Sequence, residues 1–347
     1  MKQLRSDKKV VVFGELMMRL QTRAHQRLVQ AREFEVFYSG AEANVAVALE
    51  AYGINSHLVS SVPDNAIGQA CIHYVRQFGV NLDHVKKNGF RLGIYYVETG
   101  AAQRPSTFLY NRKGSSITEL RKGDFEWDRI FADKSWFHFS GITPALADSV
   151  AEITLEACRA ARKRGLTISC DLNFRKNLWI AEKARDVMTG LMEYVDVLFT
   201  NEEEAETVFN ISAKHSVVRQ GQISKQGYEE VATLLRDRFK LKYVSISLRE
   251  SHSATINDWT GMLYDGEKCY ISRKYHIDSI IDRVGGGDAY SSGIIYGLLT
   301  GQDLQQTVEF AAAAGCLKHT VEGDFNLVSF AEVLALVNGD GSGRIQR

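Results

Sequence analysis

Short apolar runs alternate with stretches of helical periodicity along most of the chain. Val10-Val11-Val12-Phe13 is an unbroken apolar run stopped by Gly14, the pattern of a strand buried on both faces. Over residues 42–52 the apolar side chains Val45, Ala48, Leu49 and Tyr52 recur at helical spacing, and Gly53 supplies a stop. Residues 57–62 read as a strand and 67–78 as a helix closed by Gly79. The rhythm returns with strands at 136–140, 166–172 and 195–200, separated by helices at 148–164 and 181–193. A helix over 228–239 leads to a strand at 243–248, and the last third is helical at 287–299, 304–319 and 329–337. Such alternation predicts an α/β fold: a mostly parallel sheet covered by helices, with its site at the carboxyl ends of the strands.

Two stretches break this rhythm. Residues 16–38 and 91–112 have β-type composition but no crossover helix, and are read as inserted strands of a small sheet, a lid over the site, with two long surface loops as the alternative. With three prolines and no repeat or low-complexity linker, residues 1–347 are expected to form one domain carrying that lid. Lys plus Arg (42) equals Asp plus Glu (42), so no global charge points to nucleic acid or to an acidic membrane. No run of 18 apolar residues occurs, and the first residues lead into a strand without a signal-peptide core. The five cysteines are scattered and lack paired metal spacing, which suits reduced thiols in a cytoplasmic protein.

The main chemical signal is Asp282-Arg283-Val284-Gly285-Gly286-Gly287-Asp288, just ahead of a predicted helix. Glycines there let the backbone approach a ligand closely, and the unpaired N–H groups of a first helical turn attract an anion. An aspartate in that turn can accept the proton of a hydroxyl held beside the anion, which is what phosphoryl transfer to an alcohol requires. By itself, Gly-Gly-Gly-Asp could equally be a flexible turn with a capping aspartate.

Two further motifs accompany it. The segment 282–288 resembles the Asp-Thr-x-Gly-Ala-Gly-Asp signature of the ribokinase-like (PfkB) carbohydrate kinases. Gly40-Ala41-Glu42-Ala43-Asn44-Val45-Ala46 is similar to that family's sugar-binding Gly-x-x-x-Asn-x-Ala, and Asn201-Glu202-Glu203-Glu204 to its Asn-x-x-Glu. The three follow the family order and the resemblance spans about residues 10–337. It implies a three-layer αβα core, ATP and Mg²⁺ as cofactors, Asp288 as catalytic base, and Gly285, Gly286 and Gly287 as the anion hole. It also implies that Gly40, Ala41 and Asn44 touch the sugar, and that Glu204 with Asn201 holds hydrated Mg²⁺, an ion that favours carboxylate and water ligands. For Glu204, a solvated helix face remains the plain alternative. No Walker A or Gly-x-Gly-x-x-Gly fingerprint occurs.

Phe108-Leu109-Tyr110-Asn111-Arg112, Asp171-Leu172-Asn173-Phe174-Arg175 and Gly323-Asp324-Phe325-Asn326 look like the 2-keto-3-deoxygluconate kinases within that family. This closer resemblance implies that Tyr95, Tyr110, Arg112, Arg175 and Asp324 surround a keto-acid sugar, whose carboxylate suits a guanidinium fork. The alternative for Arg175 is a contact with ATP phosphate. Asn173, Asn201, Glu204, Ser247, Arg249 and Asn326 are expected on the nucleotide side. A neutral ketohexose such as fructose, and a sugar-acid-binding relative without turnover, remain as alternatives. Two features depart from the family: Arg283 and Gly286 replace its threonine and alanine, and 247–253 has none of the Gly-x-x-Gly expected there, so that Arg249 is left to supply charge. Asp282 is a candidate for a monovalent-cation site, and a homo-oligomer without nucleic-acid or membrane partners is expected.

Overall fold

The computed structural model describes residues 1, 3, 7–213 and 225–339. Its main sheet contains ten strands: β1 (Lys9–Phe13), β4 (Asn55–Val62), β5 (Asn81–Lys87), β8 (Trp136–Ser140), β9 (Thr167–Asp171), β10 (Val197–Thr200), β11 (Tyr243–Ser251), β12 (Asn257–Tyr264), β13 (Cys269–Ile271) and β14 (Tyr275–Ile277). Their order is β13-β12-β11-β10-β9-β8-β1-β4-β5, with β14 also on β12. From β11 to β5 every neighbouring pair is parallel, while β12 and its partners are antiparallel. The chain winds outward from β1 through β4 and β5, returns to β8 on the other side of β1, and winds outward again. A crevice therefore opens at the carboxyl ends of β1 and β8, where ligands bind in open α/β sheets.

Helices cover both faces. They are α1 (Ala41–Ala51), α2 (Ala66–Arg76), α3 (Trp127–Ile130), α4 (Ile142–Ala145), α5 (Asp148–Lys163), α6 (Ala181–Met192), α7 (Glu202–Phe209), α8 (Lys225–Phe239), α9 (Gly286–Thr300), α10 (Leu304–Lys318) and α11 (Phe330–Val337). One apolar core joins α1, α2, α9, α10 and α11 to one face of the sheet; the other joins α3, α5, α6, α7 and α8 to the opposite face. In α9 the apolar residues run all round, and eleven of its fifteen positions are buried, as a helix packed between sheet and neighbours requires. Gly293 and Gly297 admit α10 closely, since a Cβ on either would stand 2.5 Å from Ala311 Cα or 2.3 Å from Thr307 Oγ1.

The stretches 16–38 and 91–112 supply β2 (Met17–Thr22), β3 (Phe34–Ser39), β6 (Gly93–Glu98) and β7 (Thr107–Asn111), a second, four-stranded sheet in the order β3-β2-β6-β7. The hydrophobic pattern missed β5 and the β12–β14 edge. Asn81-Leu82-Asp83-His84-Val85-Lys86-Lys87 is too polar to look like a strand because it lies at the sheet's margin, with only one neighbour. Likewise β11 runs three residues past the expected 248, carried by its antiparallel pairing with β12 out to Ser251↔Asn257.

Candidate functional site

Two helix N-termini meet at the crevice. Asn44, in the first turns of α1, donates from Nδ2 to Asp288 Oδ2 at 2.6 Å, and Asp288 stands in the first turn of α9. Gly285 precedes α9 in the left-handed region (φ 82°), where a Cβ would lie 2.0 Å from the carbonyl oxygen of Asp324. Only glycine fits that turn. A Cβ on Gly286 would press on His319 at 2.8 Å, whereas one on Gly287 would meet nothing within 4 Å. The loop is thus closed against the protein behind and open in front. Ala289 N donates to Gly285 O at 2.8 Å as the first helical bond, and Gly286 N reaches Arg283 O at 3.4 Å.

The carboxylates are unusual. Burial raises Asp288 to about 7, assisted by the charges of Glu42 and Asp324 and opposed by the Asn44 hydrogen bond and by Arg175. Such a group is half-neutral near physiological pH and suited to take up a proton. Glu42 is 1 % exposed, and its Oε1 accepts from Ser140 N (2.8 Å), Ser140 Oγ (2.7 Å) and Thr143 Oγ1 (2.8 Å). Burial still pushes it up. At the end of β9, burial and the charges of Glu204 and Asp288 hold Asp171 well above the usual carboxylate range. Glu204 rises to about 6 by burial, with Arg175 pulling the other way.

Glu204 and Asn201 come together as expected, through a helix cap: Asn201 Oδ1 accepts from Glu204 N at 2.9 Å and begins α7. This leaves Glu204 and Asp171 as oxygen donors at the same mouth, a set that fits hydrated Mg²⁺. Arg175 and Arg249 are both exposed. Each guanidinium acts on the other and on Glu204, which places Arg175 on the acidic side of the crevice. Ser247 lies within β11 opposite Gly261, and Asn173 is buried with φ 37° in the turn after β9. Asn326 points inward, its Nδ2 donating to Tyr52 Oη at 3.0 Å.

On the other side, Gly40 must lack a side chain, since a Cβ would stand 2.0 Å from Glu15 O, and Ala41 opens α1 beside it. Asn44 Oδ1 is buried and has no partner among the described residues, an open acceptor in the crevice. Tyr110 stacks on Tyr95 at 5.5 Å, and Arg112 lies 4.9 Å above the Tyr110 ring. Arg112 Nη2 is 3.2 Å from the buried Glu15, which Ser115 Oγ also holds at 2.6 Å. Tyr95 and Asp324 are buried and joined by a hydrogen bond from the phenol, and Asp324 Oδ1 meets Arg19 at 2.5 Å.

Glu15, Arg19, Glu42 and Asp171 were missed as site residues. A faint signal existed for two of them: Glu42 is the charged residue within the apolar helical run 41–49, and Arg19 is the charged residue on the buried face of β2. The departure at Arg283 has a structural role. Its guanidinium donates to Ala254 O (2.9 Å), Asn257 Oδ1 (2.9 Å) and Ser253 O, tying the β11–β12 turn to the glycine loop.

A fold with this switch-point crevice, a glycine loop before α9 and a second small sheet is that of the ribokinase-like carbohydrate kinases, and the pfkB family carbohydrate kinase pattern matches residues 7–235 and 260–329. The chain belongs to the pfkB family of carbohydrate kinases, which is a family of enzymes. More particularly, it is 30 % identical over 334 residues to the 2-dehydro-3-deoxygalactonokinase of Haloferax volcanii, across 96 % of this chain and 98 % of that protein. It is 27 % identical to the 2-dehydro-3-deoxygluconokinase of Thermoproteus tenax, across 91 % and 89 %. A crystal structure of 2-dehydro-3-deoxygluconokinase from Thermotoga maritima superposes with a TM-score of 0.92 at 44 % identity, across 96 % of this chain and 100 % of that one. Among the described residues no helix is long and apolar enough to cross a membrane.

Proposed function

We propose that this chain transfers the γ-phosphoryl group of ATP to a hydroxyl of a 2-keto-3-deoxy sugar acid, giving 2-keto-3-deoxygluconate 6-phosphate and ADP from 2-keto-3-deoxygluconate. The observation that carries the chemistry is the Asn44–Asp288 pair at the mouth of α9, with Asp288 raised to about 7. Asp288 takes the proton of the accepting hydroxyl as its oxygen bonds to phosphorus and the bond to ADP breaks. The N–H groups around Gly285, Gly286 and Gly287 stabilise the transferring oxygens without reorganising. Glu204, placed by Asn201, and the adjoining Asp171 would hold hydrated Mg²⁺, which when bound neutralises phosphate charge. Arg249 and Arg175 would meet the phosphates, with Ser247, Asn173 and Asn326 shaping that side from behind.

The acid specificity is supported by Arg112, set on the Tyr110 face and held from behind by Glu15, and by the names of the relatives above. Gly40, Ala41 and Asn44 would contact the sugar's hydroxyls, with Tyr95 and Asp324 forming the floor. Arg175, on the acidic side, serves phosphate better than the sugar in this reading. The small sheet acts as a lid whose inner face carries Arg19, Tyr95 and Tyr110. On its outer face Phe34, Val36 and Leu109 stay 39–50 % exposed, which supports a homo-oligomer formed through that face. The five cysteines are free, in keeping with a cytoplasmic enzyme.

The neutral-sugar reading draws on one observation: Glu15 already occupies one edge of Arg112. A coupled ATP-consumption assay separates the readings. The proposal expects turnover of 2-keto-3-deoxygluconate or its C4 epimer with the highest kcat/KM; preference for fructose would replace it, and silence with every sugar would leave a binding protein.

A further inference from the structure

Arg19 on β2 is 1 % exposed and lies between the small sheet and the glycine loop. Its guanidinium donates to Asp282 Oδ2 at 2.6 Å, to Asp324 Oδ1 at 2.5 Å and to Gln21 Oε1. Asp282 opens the glycine signature, and besides Arg19 it accepts from that loop and its neighbour, so three of its four lone-pair positions are taken: Val284 N donates to Oδ1 at 3.0 Å and Gly323 N to Oδ2 at 3.1 Å. The second oxygen of Asp324 takes the Tyr95 hydroxyl, and its carbonyl oxygen is the atom that forbids a side chain on Gly285. Buried Lys318, donating to Val321 O at 3.0 Å, stands close enough to act on both aspartates.

A free cation at Asp282 does not fit these residues. It would need carboxylate oxygens with open lone pairs, and it finds one: Oδ2 is taken by two N–H donors and Oδ1 by a third. The charge balance also opposes it. Arg19 and Lys318 already match Asp282 and Asp324, so neither aspartate is a buried anion left without a cation.

We infer that the Arg19 guanidinium is the built-in cation of the glycine loop, a positioning residue that takes the place of a free monovalent ion at Asp282 and ties the loop's shape to the docked small sheet. The planar fork suits this task, because one rigid group can face two carboxylates at once.

The inference rests on the kinase reading but not on which sugar is used. Wild type, Arg19→Ala and Arg19→Lys would be assayed in potassium, sodium and choline salts, with and without millimolar guanidinium. Wild-type kcat and ADP affinity should be the same in all three salts. Arg19→Ala, if it melts cooperatively, should lose about 100-fold in kcat through the misplaced loop, with KM for the sugar changed far less, and guanidinium should restore part of the loss. A wild type that requires potassium overturns the inference, as does a folded Arg19→Ala with normal kcat or one that guanidinium leaves unchanged. Should Arg19→Ala fail to fold, Arg19→Lys and the wild-type salt series decide. Should no sugar be turned over, the functional reading has failed, and ADP affinity measured by calorimetry in the same salts still decides this one.

Discussion

Around Asn44 the polar side chains are buried and already paired: Glu42 takes three hydrogen bonds, Glu15 holds Arg112, and Arg19 holds Asp282 and Asp324. Around Glu204 the two guanidiniums of Arg175 and Arg249 are exposed, and neither forms an ion pair among the described residues. On the proposed reading the acceptor side is built in advance, and the phosphate side is left to be completed by its ligand. The contrast suits the proposed reaction. A base and a hydroxyl must be aligned within a fraction of an ångström, whereas a flexible, highly charged polyphosphate can be gathered by mobile cations and released again. It also tells where substitutions should act on kcat and where on KM.

The largest effect is expected at Asp288. Asp288→Asn keeps the shape and the contact with Asn44 but cannot take the proton, so turnover should fall about 10²–10⁴-fold. Sugar binding by calorimetry should persist. Because the carboxyl is raised in the folded state, its burial costs stability that grows as pH rises from the ordinary carboxylate range to about 7 and levels off above that. The variant should therefore melt no lower than wild type at alkaline pH. Near-normal turnover would remove Asp288 as the base.

Next comes Arg112. Arg112→Lys keeps the charge and loses the fork, which should cost roughly 1.5–3 kcal/mol, about 10- to 150-fold in kcat/KM for a keto-acid sugar. A neutral sugar should suffer much less. Equal damage to both would mean that Arg112 shapes the lid rather than reading a carboxylate.

On the open side the effect should be smaller. Arg249→Ala should raise KM for ATP by about fivefold, the scale of an exposed charge contact. The rise should shrink with added salt and leave kcat nearly unchanged. A large loss of kcat instead would show that this side, too, is built in advance.

What could be read from the sequence divides along the same line. The glycine loop, Asn44 and the Asn201–Glu204 pair were legible because each meets its constraint locally: a left-handed turn at Gly285, a helix first turn, a cap spanning three residues. The buried network was not, since Arg19 meets its partners 263 and 305 residues away. A single chain gives no rule for such pairings. The parallel strands announced themselves as apolar runs because both their faces are covered, while the polar edge strand β5 carried no such mark. The second sheet was legible only as a failure of the helical rhythm, and its register, with Tyr95 opposite Tyr110, comes from pairing between distant segments.

The central claim is that a half-buried Asp288 accepts the proton of the sugar hydroxyl, and the pH dependence of kcat/KM for 2-keto-3-deoxygluconate tests it most directly. The ionised carboxylate is the working form, and burial sets its midpoint near 7. From about pH 9 down to about pH 5, kcat/KM should hold level and then fall close to tenfold per unit below that midpoint. A profile that stays flat into the ordinary carboxylate range, near pH 4, would contradict the account.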